Sequence, residues 1–89
     1  MDYENYKNNF LRKLQLPQDV FTGATLVSVV GRYEVTIENY KALITCNPDE
    51  IKLQGKKGYI VVTGEHLEIV YYTSMDMRIL GCIHQIQYI

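Results

Sequence analysis

The chain has no tryptophan, only two prolines and two cysteines, and no large excess of charge of either sign. Each shortage excludes something. Nine basic residues against ten acidic ones leave a formal charge of −1, so no positive field exists to gather the phosphates of a nucleic acid. No nucleic-acid partner is expected. The densest basic feature is Lys56-Lys57 between two glycines, the composition of a solvated loop tip. No run approaches the roughly 20 apolar residues that cross a bilayer. The opening segment, MDYENYKNNF, is polar where a secretory leader is basic and then apolar. These features predict a cytoplasmic protein with no direct membrane span.

Motifs for chemistry are equally scarce. Cys46 and Cys82 are the only thiols; a reducing compartment keeps them unpaired, and they then behave as small hydrophobes. There is no CxxC or HxxxH pair for a metal and no GxxxxGK[ST] or GxGxxG loop for a phosphate. No metal and no cofactor are expected. Cys82 and His84 would share one face of a strand, but they match no cysteine-enzyme signature. His66 falls in a turn, and Glu65 and Glu68 read as surface charges. The sequence therefore predicts no catalytic residue, and a protein that is not an enzyme.

What is present is a foldable pattern. With 89 residues, 47 % hydrophobic and 21 % charged, the chain is long enough for one core and too short for two. Residues 4 to 14 place Tyr6, Phe10, Leu11 and Leu14 on one stripe of a short helix, which ends before Pro17. From Leu26 onward the period becomes two. Candidate strands cover 26–30, 32–37, 42–46, 50–54, 59–63, 67–72, 76–80 and 83–88, with glycines 31, 55, 58, 64 and 81 between runs.

The parity that avoids burying charge puts Val35, Ile37, Ile44, Cys46, Ile51, Leu53, Ile60, Val62, Leu67, Ile69, Tyr71, Met77, Ile79, Ile83, Ile86 and Tyr88 inward. The three-residue step from Ile83 to Ile86 predicts a β-bulge. One short helix cannot cover so wide an apolar face. The expected fold is therefore all-β: a small antiparallel β-sandwich, a meander of seven or eight short strands, with a short N-terminal α-helix.

The opposite parity carries Tyr59, Val61, Val70, Tyr72 and Leu80 in the later strands. Two readings stand. The helix packs on this second patch, or the residues serve strand propensity; alternatively the patch is a protein-interaction surface, for which tyrosine is well suited. Glu38, Asn39 and Tyr40 follow a strand and precede another, which reads as a hairpin turn with Asn39 able to take a left-handed conformation. The other reading of these residues is a recognition loop.

The ordered elements Leu16-Pro17-x-Asp19-Val20, Gly31 with Val35-Thr36-Ile37-Glu38-Asn39, Ile51-x-Leu53, Gly58-x-Ile60-x-Val62-x-Gly64-x-x-Leu67-x-Ile69 and Met77-x-Ile79-x-Gly81-x-Ile83-x-x-Ile86-x-Tyr88 resemble the YabP/YqfC family of sporulation proteins of endospore-forming bacteria. The resemblance runs from about residue 14 to the end and is closer to the YqfC branch. Tyr40 and Ala42 stand where the family commonly has His and Gly. The resemblance implies a non-enzymatic structural or interaction protein of the mother cell, made during spore formation. Its implied partner is a membrane-anchored sporulation protein at the forespore-surrounding membrane, and self-association into a homo-oligomer is also open. The alternative from another class is a small β-barrel that binds an apolar ligand in a cavity of several hundred Å³.

Overall fold

β-Branched and aromatic residues alternating with polar ones favour a pleated, half-buried surface, and the chain from Leu26 onward obeys that pattern. The computed structural model describes residues 23–89; the helix expected over 4–14 and the Leu16-Pro17 element lie outside them. The described residues are all-β, as expected, and form strands β1 (Leu26–Val30), β2 (Glu34–Glu38), β3 (Ala42–Cys46), β4 (Glu50–Gln54), β5 (Tyr59–Tyr72) and β6 (Asp76–Tyr88). Every pairing is antiparallel. Among the described residues no helix is long and apolar enough to cross a membrane.

Two features differ from the expected meander of seven or eight strands in a sandwich. The segments expected at 59–63 and 67–72 join into β5, and those at 76–80 and 83–88 join into β6. The six strands make one hydrogen-bonded sheet in the order β1-β2-β6-β5-β4-β3, so the layers are halves of a single sheet. The residues expected to separate strands, Gly64 and Gly81, instead lie inside the long hairpin. A side chain at Gly64 would collide with the Cys82 carbonyl, and one at Gly81 would come within 2.7 Å of the His66 carbonyl. Only glycine allows the two backbones this approach.

The sheet doubles back on itself, and chain length requires it. Glu38 ends β2 and Ala42 begins β3, a reach of at most about 14 Å. In the hydrogen-bonded order those strands lie four spacings apart, about 19 Å in a flat sheet. The link 39–41 is therefore not the expected hairpin; it crosses between two halves that face each other. One half contains β1, β2 and the turn-proximal parts of β5 and β6, and the other contains β3, β4 and the remaining parts.

The inner faces share one core of Val35, Ile37, Ile51, Leu53, Ile60, Val62, Leu67, Met77, Ile79 and Ile83, joined by Tyr40. Register shifts adjust the alternation. On β6, His84 is the extra residue between the pairs Gly64↔Ile83 and Thr63↔Gln85, which is the bulge expected from the Ile83 to Ile86 step. On β5, Val70 is extra between Ile69↔Ile79 and Tyr71↔Arg78. That bulge leaves Tyr71 opposite Arg78 and Tyr72 opposite Met77, so Tyr71 is exposed where inward packing was expected. On β3 a shift at Ile44 leaves it exposed, while Leu43 packs on the core. Cys46 and Tyr88, also expected inward, are exposed at the rim.

Candidate interaction face

The five residues expected to form one outward patch fall into two groups on opposite sides of the bend. Tyr59 and Val61 belong to the β4-side half. Val61 is only 7 % exposed, flanked across the ladder by Lys52 and Gln87, and the Lys52 ammonium sits 4.7 Å from the Tyr59 ring centre. Long polar stems cover apolar surface in this way. Tyr72 is drawn toward the inner side by the Val70 bulge, and its ring meets Tyr40 edge-on, with centroids 6.2 Å apart.

Val70 and Leu80 remain exposed. Around them the register supplies further members that parity alone did not select. Val30, Glu34, Leu80 and Glu68 form one row across β1, β2, β6 and β5, and Ser28, Thr36, Arg78 and Tyr71 form the next. Val30 is 63 % exposed, Tyr71 52 % and Leu80 39 %. Arg78 pairs diagonally with Glu34 at 3.1 Å in the middle of these residues. The result is an apolar rim around one exposed ion pair. Such a pair adds little stability by itself, but it gives a contact surface an orientation.

The Glu38–Tyr40 segment is built inward. Asn39 is left-handed, with φ 64°, as its residue type allows. Its amide Nδ2 donates to the Ala24 carbonyl at 2.9 Å, its carbonyl accepts from Thr25 Oγ1 at 2.9 Å, and its backbone N donates to Met75 at 2.6 Å. Thr25 Oγ1 in turn accepts from Lys56 N at 3.1 Å. Tyr40 is 5 % exposed and its hydroxyl donates to the Thr73 carbonyl. Burial, then Tyr72, then the Asp76 carboxylate push its phenol up to about 12. Asn39 and Tyr40 thus stitch the link to the β1 entry and the β5–β6 turn.

Clusters that bear on chemistry lie elsewhere. A cleft of about 540 Å³ runs between Thr25, Lys56, Tyr59 and Ile89 at one end of the sheet, and another of about 480 Å³ borders Arg32 and His84. The bend brings donor atoms of Glu65, Cys82 and His84 within 4.8 Å of one another. Alternation along one strand puts Cys82 and His84 on one face; Glu65 arrives across the hairpin opposite Cys82, which only the register reveals.

Comparison with known proteins extends the resemblance already visible in the motifs. A protein of Bacillus subtilis (strain 168) named YqfC is 27 % identical over 78 residues, covering 88 % of this chain and 84 % of that protein. No solved structure is a significant match. The profile of the YabP family matches residues 22–89, the whole doubled sheet, and the chain belongs to that family.

Proposed function

We propose that this YabP-family chain is a non-enzymatic interaction module of endospore formation. It acts in the mother cell and holds a membrane-anchored protein partner against the outer face of β1, β2 and the adjoining parts of β5 and β6. The observation that carries the reading is the difference between the outer faces: Val30, Leu80, Val70 and Tyr71 cluster exposed on one half, whereas on the other Lys52, Gln54, Gln85 and Gln87 surround Tyr59 and the nearly buried Val61. Exposed apolar residues grouped around a charged pair have the anatomy of a contact surface. Membership in a family whose resemblance points to sporulation supplies the biological setting. The interior supports a scaffold over a ligand-binding barrel, because Val35, Ile37, Ile51, Leu53, Val62, Met77 and Ile79 fill it with no exposure.

The test is genetic and physical together. In an endospore-forming host lacking this chain, the native sequence restores heat-resistant spores and Leu80→Ser with Tyr71→Ser does not, although that variant melts as the native protein does. Full spore yield without the chain would refute the sporulation role. Full yield with the double variant would refute the face.

A further inference from the structure

The bend has a second consequence, independent of any partner. Two register irregularities flank the pairs Gly64↔Ile83 and Glu65↔Cys82 of the hairpin: β5 gains a residue between Glu65 and Glu68, and β6 gains His84. Bulges re-aim side chains. Here the carboxylate of Glu65, the thiol of Cys82 and the imidazole of His84 come together, all pairs within 4.8 Å. Glu65 and Cys82 are direct cross-strand neighbours, and Cys82 and His84 flank the inward Ile83 on the same strand.

We propose that Glu65, Cys82 and His84 form a three-ligand site for a borderline-soft divalent cation, zinc foremost, that locks the bend of the β5–β6 hairpin. One sulfur, one nitrogen and one oxygen donor form a set that zinc accepts. At tetrahedral geometry, with metal–ligand bonds near 2.0–2.3 Å, the donors of this set sit roughly 3.3–3.6 Å apart. Closing from 4.8 Å needs only side-chain rotation, and Glu65 and His84 are exposed and Cys82 half-buried, so rotation meets little resistance. The thiolate and the carboxylate balance a dication. His84 borders the cleft of about 480 Å³, which leaves room for water at the fourth position. Metal-ligand spacing patterns place donors close along the chain, and here one of the three comes from the opposing strand.

The site sits beside Gly64 and Gly81, where the two halves are joined by closely approaching backbone. An ion bound there ties β5 to β6 at the point where the ladder is interrupted, and stabilises the folded state by mass action.

The experiment uses the reduced, metal-free full chain titrated with zinc and, separately, cobalt(II). One ion binds per chain, cobalt gives a thiolate charge-transfer band, and zinc raises the melting temperature. Cys82→Ser and His84→Ala each weaken zinc binding on the order of a hundredfold, and Glu65→Gln weakens it less. Cys46→Ser leaves it unchanged. Absence of a sulfur-to-cobalt band in the native chain overturns the proposal whatever the variants do. Binding that survives in folded Cys82→Ser and His84→Ala, or that is lost in Cys46→Ser, overturns it as well.

Discussion

The two halves of the doubled sheet bury their inner faces in the same way and treat their outer faces differently. On the β4 side, outward positions carry Glu50, Lys52, Gln54, Thr63 and Gln87; of the apolar residues among them Val61 is nearly buried, and Tyr59, as exposed as Leu80, lies beside the Lys52 ammonium. On the β2 side, Val30, Leu80 and Tyr71 stay exposed around Glu34 and Arg78. Stability explains the inner faces, because a small domain needs all of its apolar burial. It does not explain the exposed Val30, Leu80 and Tyr71 of one outer face, which contribute little to the core.

The largest expected effect comes from breaking the junction between the halves. Gly64→Val drives a side chain into the Cys82 carbonyl and costs about 3 kcal/mol or more, whereas Gly23→Ala, whose added methyl meets nothing within 4 Å, changes stability by less than about 0.5 kcal/mol. Denaturant titration of the pair measures both. Next come the core truncations, one from each half: Leu53→Ala and Ile79→Ala, both from fully buried positions, each cost about 2–5 kcal/mol. With one shared core, fluorescence and far-ultraviolet dichroism lose both halves in a single transition; two separate transitions would divide them.

Tyr40→Phe tests the stitch between the halves. It removes the hydroxyl donated to the Thr73 carbonyl, at a cost of about 0.5–1.5 kcal/mol. The sign with pH is fixed by the same burial. The phenol is raised from 10.0 to about 12 in the fold, so its neutral form is favoured there. The stability this contributes is complete below the unfolded value of 10.0 and disappears as pH rises toward about 12. Native protein titrated with alkali loses stability in that window more steeply than Tyr40→Phe does. The smallest effect on stability is expected at the outer faces: Leu80→Ser on one half and Gln87→Ser on the other each stay within about 0.5 kcal/mol, and only the first weakens partner capture.

Much of the strand pattern was visible in the residues. Alternation placed β1, β3 and β4 within their observed bounds, and it assigned Val35, Ile37, Ile51, Leu53, Met77 and Ile79 to the interior, where they are. The Ile83 to Ile86 step announced a bulge because only an extra residue keeps both side chains on one face. Other bulges left no such trace. At Val70 and Ile44 the inserted residue is itself apolar, so the alternation continues unbroken in sequence while the side chains change face; Tyr71, Tyr72 and Ile44 differ from expectation for that reason. Gly64 and Gly81 read as turns because a glycine that ends a strand and one that lets two strands touch look alike along one chain. The candidate face suffered most, since cross-strand rows such as Val30, Leu80 and Glu68 exist only once register is known. Tyr40 lies in a link with no period to reveal its burial.

The doubling of one sheet brings the inner faces of β2 and β4 into one core although two strands separate them in the hydrogen-bonded order. Methyl-selective nuclear Overhauser spectroscopy tests it directly. Cross-peaks between the methyls of Val35 or Ile37 and those of Ile51 or Leu53 are the expected result. Cross-peaks confined to adjacent strands, as in an open sheet where β2 and β4 stand about 14 Å apart, would contradict it.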